Sequence, residues 1–170
     1  RGFVKVSAGK GPIVSAVVAG DEPYWLAKKT DASIWVGKDR VYSGKKAALT
    51  NPKLICLDDG FQYKKIKKDV EIVLLDATNP FGFGRFLPCG YLRDFPSQLQ
   101  KADWIVVTHL SEKICFEDLL QKIRKFTSAP VIGMKASYEI SASLVGKKIG
   151  AFCGIAKPDH FYKALLSQGV

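Results

Sequence analysis

Short apolar runs and amphipathic stretches alternate along most of the chain. A continuous apolar run is typical of a strand covered on both faces of a sheet, whereas apolar positions repeating every three or four residues indicate a helix. This pattern predicts strands at residues 13–19, 33–36, 53–57, 70–75, 104–107, 131–134 and 149–153. It predicts helices at residues 22–29, 114–126 and 158–168, while residues 41–48 fit either element. Because strands alternate with helices, we predict an α/β fold with a mostly parallel sheet flanked by helices.

Carboxylates follow two of these apolar runs at the point where each run ends. Asp58 and Asp59 come directly after the run at residues 53–57 and are followed by Gly60. Open α/β sheets bind ligands at the carboxyl ends of their strands, and an Asp there can hold Mg²⁺ in a phosphotransferase. The segment therefore indicates a metal-phosphate site, with a strand that ends in an Asp-Gly turn as the structural alternative.

The second acidic element, Gly20-Asp21-Glu22-Pro23, also follows an apolar run. Pro23 suits the first turn of a helix, with Asp21 or Glu22 near its N-cap. One interpretation is a helix cap, and the other is a general base held beside the metal site. The element alone does not distinguish between them.

Residues 77–100 are rich in glycine, proline and aromatic side chains. A loop of this length inside a compact domain tends to be functional. It follows a predicted strand that ends at Asp76, so we expect it to lie over the same sheet edge as Asp58 and Asp59. Arg85 and Arg93 are its natural phosphate ligands, because a guanidinium can form bidentate bonds to phosphate oxygens. The alternative is a surface loop with two solvated arginines.

The charge balance is strongly basic, with a formal net charge of +10 at pH 7. A lysine cluster lies between two predicted strands, at Lys64, Lys65, Lys67 and Lys68. Such a patch favours nucleotide phosphates or anionic lipid headgroups. Nucleic acid is not expected as the main partner, because no helix-turn-helix, zinc-finger or RNP pattern occurs. With no membrane-spanning run and no signal peptide in the sequence, any membrane association is expected to be peripheral or carried by a missing part of the protein.

The cysteines are scattered, with no C-x-x-C pair, at Cys56, Cys89, Cys115 and Cys153. This spacing indicates reduced thiols rather than a zinc site or a disulfide framework. Cys56 and Cys153 lie in apolar runs, and we expect them in the core.

Several motifs occur together in an order that resembles one family. They are Gly20-Asp21-Glu22-Pro23, Leu57-Asp58-Asp59-Gly60-Phe61-Gln62, and the segments at residues 69–77, 82–94 and 101–103. Arg1-Gly2-Phe3 and Gly154-Ile155-Ala156-Lys157-Pro158 extend the match to nearly the whole chain. Together they resemble the tetraacyldisaccharide 4'-kinases, which are the lipid A 4'-kinases. Each motif alone is weak, and it is their shared order and spacing that make the resemblance specific.

The resemblance implies a P-loop NTPase-like kinase that uses ATP and Mg²⁺. Its reaction would transfer the γ-phosphate to the 4'-hydroxyl of tetraacyldisaccharide 1-phosphate, a tetraacylated glucosamine disaccharide lipid. The resemblance also implies peripheral contact with anionic membrane, at the cytoplasmic face of the bacterial inner membrane.

The same resemblance implies a role for each candidate site residue. Asp21 would be the catalytic base that accepts the proton of the sugar hydroxyl, with Glu22 as a nearby support. The other expected site residues are the magnesium-site carboxylates Asp58 and Asp59 and the phosphate or substrate contacts Gln62, Arg85 and Arg93.

The chain lacks one element of the family pattern. No G-x-x-x-x-G-K-[ST] loop occurs, since Gly9-Lys10-Gly11 lacks both the spacing and the Ser/Thr. We therefore expect an excerpt that is inactive alone, with residues 1–146 as the central part of the kinase domain. Residues 147–170 would begin a second subdomain.

Further departures concern single residues. His160 stands in a segment like the family's catalytic histidine motif, but it follows residues 154–158 too closely to take that role. His109, just after a predicted strand, could line the site, but a plain loop residue is the preferred interpretation. Tyr63, Tyr91 and Asp94 replace residues that are usual in the family, which bears on the details of substrate contact.

Two alternatives stay open from the sequence. One is a different P-loop enzyme, such as a small-molecule kinase or NTPase. The other is a basic module without enzymatic activity that binds membrane or nucleic acid, whose binding would depend steeply on salt and survive loss of Asp21, Asp58 and Asp59.

Overall fold

The computed structural model describes residues 2–136, 141–154 and 158–169. The chain divides into two compact units, Arg1–Asp69 and Val70–Val170. This division differs from the domain boundary that we predict between residues 146 and 147, which stays a prediction.

The first unit combines a two-stranded antiparallel sheet with helices. Its elements are β1 (Val4–Ala8), α1 (Ala16–Ala19), α2 (Asp21–Lys29), β2 (Ser33–Val36) and α3 (Arg40–Ala48). Val6 of β1, Ala19 of α1 and Ala27 of α2 form its buried centre. Alanine at both helical positions lets the helices lie close to the strand, so α2 is anchored in this core through Ala27 in its last turn.

The second unit contains a parallel sheet in the order β3-β4-β5, which confirms the predicted α/β class. Its elements are β3 (Ile72–Asp76), β4 (Trp104–Thr108), α4 (Phe116–Arg124), β5 (Val131–Gly133) and α5 (Pro158–Ser167), with 3-10 helices at Gly82–Gly84, Pro96–Lys101 and Ala142–Leu144. Ile105 and Val107 of the central strand are fully buried. Leu119 and Ile123 of α4 are buried as well, at the four-residue spacing of one helix face.

The strand predicted at residues 13–19 is wrong, because α1 occupies its second half. A short apolar run is ambiguous between strand and helix. The strand of this region is instead β1, where Val4, Val6 and Ala8 alternate with Lys5 and Ser7. Residues 41–48, which fitted either element, fall within α3.

The buried strand predicted at residues 53–57 is also wrong. Those residues form no strand, and Leu54 and Ile55 are exposed to 77% and 51%. A strand is stabilised by hydrogen bonds to a neighbouring strand, and within the described ranges no strand pairs with this segment. Asp58 and Asp59 therefore follow an irregular segment. The expectation that the loop at 77–100 lies over the same sheet edge assumed a strand at residues 53–57, and that strand is absent.

The strand predicted at residues 149–153 is absent, and that segment is irregular with Phe152 93% exposed. Cys56 is exposed and Cys153 half-buried, so the expected core position of Cys56 is wrong. Residues 155–157, within the family-like segment at 154–158, lie outside the described residues.

Candidate functional site

The first acidic element lies at the start of α2. Gly20 joins α1 to α2 with φ of 94°, a conformation that L side chains rarely adopt, so the sharp junction favours glycine. Asp21 and Glu22 occupy the first helical turn, and both are exposed. Acidic side chains in the first turn of a helix interact favourably with the positive end of the helix dipole. The element thus presents two charged oxygen acceptors on an anchored helix.

The second acidic element is a loop, residues 58–63, which we call the carboxylate loop. Asp58 and Asp59 are exposed, and Asp59 has a left-handed backbone with φ of 50°. Gly60 is buried, and a Cβ there would come within 3.0 Å of Leu57, so the tight turn requires glycine. Gln62 lies on the same loop and is half-buried. Three predicted site residues therefore share one short segment.

Cationic side chains hold the backbone of the carboxylate loop. Arg40 of α3 donates from Nη1 to the carbonyl of Asp59 at 2.8 Å, and its guanidinium lies 5.4 Å from the ring centroid of Tyr63. Lys68 donates from Nζ to the carbonyls of Gly60 at 2.9 Å, Tyr63 at 3.2 Å and Phe61 at 3.4 Å. Four of the five carbonyls in residues 59–63 thus accept hydrogen bonds from a cation.

A surface pocket of about 560 Å³ adjoins this loop in the first unit. Its lining residues are Lys38, Asp39, Val41, Tyr63 and Lys65. Asp39 is the N-cap of α3 and accepts a hydrogen bond from the amide of Tyr42 at 3.0 Å. The two lysines outnumber that carboxylate, so the lining has a net positive charge that suits an anion.

The arginine loop, residues 81–95, carries Arg85 and Arg93 in the second unit. Both arginines are exposed. The loop is closed by hydrogen bonds from Tyr91 N to Gly82 O and from Leu92 N to Arg85 O, both at 3.0 Å. Gly90 is buried between the two sides of the loop that these hydrogen bonds join. The two guanidinium groups are therefore carried by one backbone-bonded scaffold.

Aromatic side chains cover the same loop. Phe83 and Tyr91 lie 5.7 Å apart between ring centroids, and Phe86 and Phe95 lie 4.8 Å apart. Phe83, Tyr91 and Phe95 are more than 60% exposed, as is Leu87. The loop thus places apolar surface beside cationic groups.

A pair of side chains that the sequence analysis did not include among the expected site residues, Asp76 and His109, lies at the carboxyl ends of β3 and β4. Asp76 Oδ1 accepts hydrogen bonds from Thr78 N at 2.9 Å and Thr78 Oγ1 at 2.6 Å, and His109 Nδ1 lies 3.5 Å from the same atom. His109 has φ of 55°, so it turns the chain immediately after the strand. The available signal was that each residue ends a predicted strand, and adjacent parallel strands bring such residues together.

The predicted site residues therefore fall into three groups, each on its own element: Asp21 and Glu22 on α2, Asp58, Asp59 and Gln62 on the carboxylate loop, and Arg85 and Arg93 on the arginine loop. His160 lies within α5. Across the part of the chain that the structure describes, no cluster of three or more His, Cys, Asp or Glu side chains is arranged around a metal position. The paired carboxylates nevertheless fit Mg²⁺, which typically takes one or two protein carboxylates and completes its shell with phosphate and water oxygens.

Comparison with known proteins matches the chain to one family. The sequence profile of the family described as tetraacyldisaccharide-1-P 4'-kinase (LpxK) matches residues 1–170. Curated tetraacyldisaccharide 4'-kinases of Syntrophotalea carbinolica and Chlamydia caviae are 36% and 40% identical to the chain. Those alignments cover 97% and 92% of this chain and 48% and 44% of the relatives. The chain thus spans about half the length of the curated relatives it matches.

A solved structure agrees with the sequence comparison. The crystal structure of the apo form of LpxK from Aquifex aeolicus, in complex with ATP, matches with a TM-score of 0.78 at 30% sequence identity. The match covers 100% of this chain and 55% of that one. It supports the predicted fold class independently of the strand pattern.

Proposed function

The chain belongs to the tetraacyldisaccharide-1-P 4'-kinase family, and from that membership we propose that the full-length protein transfers the γ-phosphate of ATP to the 4'-hydroxyl of a tetraacyldisaccharide 1-phosphate. Full-length here means this sequence with any residues that its gene adds at either end. The observation that carries the proposal is the family match over residues 1–170, together with exposed acidic residues at the motif positions.

Asp21 is the proposed catalytic base. Transfer to a hydroxyl requires a group that orients the nucleophile and accepts its proton, and a carboxylate performs this task in protein kinases. The exposed position of Asp21 in the first turn of α2 leaves its oxygens accessible to an acceptor. Glu22, in the same turn, is the proposed support that adds negative charge beside the base.

Asp58 and Asp59 are the proposed magnesium-site carboxylates. Both are exposed on a loop whose backbone is fixed by Arg40 and Lys68. When bound, Mg²⁺ would neutralise charge on the phosphate groups. The carboxylates themselves contribute two adjacent hard oxygen donors, the ligand type that Mg²⁺ prefers.

Gln62, Arg85 and Arg93 are the proposed contacts to phosphate or substrate. The guanidinium groups can each form paired hydrogen bonds to phosphate oxygens. The amide of Gln62 can donate to an oxygen beside the carboxylate pair. These residues would orient the transferred group rather than take part in bond making.

The acceptor would be met at a membrane surface. Among the described residues, no helix has the length and apolar character needed to cross a bilayer. The formal net charge of +10 would attract anionic headgroups, and Phe83 and Tyr91 offer exposed aromatic surface of the kind found at membrane interfaces. We therefore propose peripheral contact with anionic membrane, at the cytoplasmic face of the bacterial inner membrane.

The test is a transfer assay with the full-length protein, γ-labelled ATP, Mg²⁺ and tetraacyldisaccharide 1-phosphate in mixed micelles. Mass spectrometry with fragmentation identifies which hydroxyl carries the new phosphate. The proposal predicts a bisphosphorylated product labelled at the 4' position. ATP hydrolysis without a labelled lipid, or transfer only to a different small acceptor, would favour another P-loop enzyme instead.

A further inference from the structure

The carboxylate loop has an unusual arrangement of its backbone carbonyls. Three of them, those of Gly60, Phe61 and Tyr63, accept hydrogen bonds from Lys68 Nζ at distances of 2.9 to 3.4 Å. An ammonium group has three hydrogens to donate, so this one residue can serve all three acceptors. We infer that Lys68 is a positioning residue, which holds the carboxylate loop in the shape that presents Asp58 and Asp59 to the metal. The inference rests on the proposed function of those two carboxylates.

The surroundings separate Lys68 from the other lysines of its cluster. Lys64, Lys65 and Lys67 are exposed, whereas Lys68 is half-buried and its hydrogen bonds reach back across the loop. A solvated lysine gains little from a surface contact, because water competes for each hydrogen bond. A partly buried ammonium shared by three carbonyls is a structural contact, so removing it should change the loop and not only the surface charge.

The loop needs such a contact because its own backbone offers little regular hydrogen bonding. Within residues 58–63 the structure gives one backbone hydrogen bond, from Tyr63 N to Gly60 O at 2.9 Å. Asp59 adopts a left-handed conformation, which most residues with side chains disfavour. Arg40 donates a hydrogen bond to the carbonyl of Asp59, and Lys68 donates to three later carbonyls of the loop. The two cations therefore bind different parts of the loop backbone.

Charge gives the second reason. The carbonyl oxygens that converge on Lys68 carry partial negative charge, and they belong to a segment that already contains two carboxylates. Without a cation, these oxygens would favour a looser loop in which each one faces water. A positive charge at the centre of the carbonyls lets the loop stay compact while the carboxylates remain exposed for a metal.

The experiment compares three variants of the full-length protein: Lys68→Met, Lys68→Arg and the control Lys64→Met. Methionine keeps the length of the side chain and removes the charge and donors, and arginine keeps both. Lys64 lies in the same cluster and is exposed, so its variant changes the net charge equally. The first readout is hydrogen exchange at the Tyr63 amide, which donates to the carbonyl of Gly60, one of the acceptors of Lys68. It is measured in metal-free protein and requires no catalytic activity.

We expect Lys68→Met to raise exchange at the Tyr63 amide by about tenfold or more, since loss of a single charge-assisted hydrogen bond suffices for that factor. Lys64→Met should leave it unchanged, and Lys68→Arg should restore most of the protection. The second readout is the Mg²⁺ concentration for half-maximal phosphate transfer, which should rise about tenfold in Lys68→Met and stay at the wild-type value in Lys64→Met.

Two results would overturn the inference: wild-type exchange in Lys68→Met, or faster exchange with an unchanged Mg²⁺ requirement, because the latter would make Lys68 merely structural. If Lys68→Met fails to fold, Lys68→Leu replaces it, since leucine also lacks charge and donors, and wild-type exchange there has the same meaning. Absence of transfer by the wild type would count against the proposed function, and the exchange comparison would still decide whether Lys68 holds the loop.

Discussion

Replacing Gly90 with alanine tests how the arginine loop is built. A Cβ at this position would come within 3.0 Å of the carbonyl oxygens of Arg85 and Gly82, a separation that real Cβ atoms essentially never show. Both oxygens belong to backbone and both already accept hydrogen bonds, from Leu92 N and Tyr91 N. The added methyl group must therefore separate the two sides of the loop.

The magnitude follows from those contacts. Each backbone hydrogen bond contributes about 1 kcal/mol net, and residual strain adds a similar amount, so we expect Gly90→Ala to lower the free energy of unfolding by about 2–4 kcal/mol. Gly84→Ala is the matched control, because Gly84 has a positive φ of 69° but open space around its Cβ position. The control should lose only about 1 kcal/mol, the cost of a left-handed alanine.

The assay is urea unfolding of the full-length protein, followed by circular dichroism, with transfer kinetics on the same samples. Displacing the loop should also lower kcat/KM for the lipid acceptor in Gly90→Ala more than in Gly84→Ala, since Arg85 moves with the backbone. Equal stability losses in the two variants, within about 0.5 kcal/mol, would refute the reasoning from steric contact.

Three further predictions follow from the described contacts. Asp76→Ala removes the acceptor for both Thr78 donors and should lower the free energy of unfolding by about 1–2 kcal/mol in urea melts, whereas a loss no larger than that of Asp76→Asn would contradict the role of the two hydrogen bonds. Ile123→Ala, at a fully buried position, should lower the free energy of unfolding by about 2–5 kcal/mol. Leu166→Ala, at a 72% exposed position, is the control and should stay within about 0.5 kcal/mol of wild type. Equal losses in the two variants would show that α4 does not contribute to the core. Chelation of Mg²⁺ with EDTA should abolish phosphate transfer, and added Mg²⁺ should restore it; transfer that persists in EDTA would argue against the proposed metal site.

Much of the fold could be predicted from periodicity. The predicted strands at 33–36, 70–75, 104–107 and 131–134 agree with β2 to β5 within two residues at each end, and the three predicted helices agree with α2, α4 and α5 in the same way. In β4 the apolar run buries Ile105 and Val107, and in α4 one helix face buries Leu119 and Ile123, so the pattern of these elements survives in the sequence. β1 carries its own signal, the alternation of apolar and polar residues from Val4 to Ala8, which indicates a half-buried antiparallel strand.

The segment at 53–57 shows why an apolar pattern can mislead. Leu54 and Ile55 have the side chains of a buried strand, but a strand requires a hydrogen-bonded neighbour, and within the described residues none lies beside them. Residues 149–153 present the same case. The pattern of a sequence reports what side chains favour, and only the pairing of the backbone decides whether a strand forms.

For the candidate site, motif order predicts the carboxylates and arginines, and their roles stay predictions. The residues that hold them were not predictable. Lys68 is one of four lysines in a cluster, and nothing in the sequence distinguishes it from its exposed neighbours. Its role depends on three carbonyls that only the folded loop brings together. The pairing of Asp76 with His109 likewise depends on the register of β3 against β4.

The most direct measurement of the central claim is the single-turnover rate of phosphate transfer from ATP to tetraacyldisaccharide 1-phosphate by wild type and Asp21→Asn, at saturating ATP and Mg²⁺. Asp31→Asn, an exposed residue just beyond the end of α2, is the control. The account predicts that the rate falls by about 10²–10⁴-fold in Asp21→Asn, the usual contribution of a general base, and stays at the wild-type value in Asp31→Asn. A wild-type rate in Asp21→Asn would contradict the assignment of Asp21 as the base.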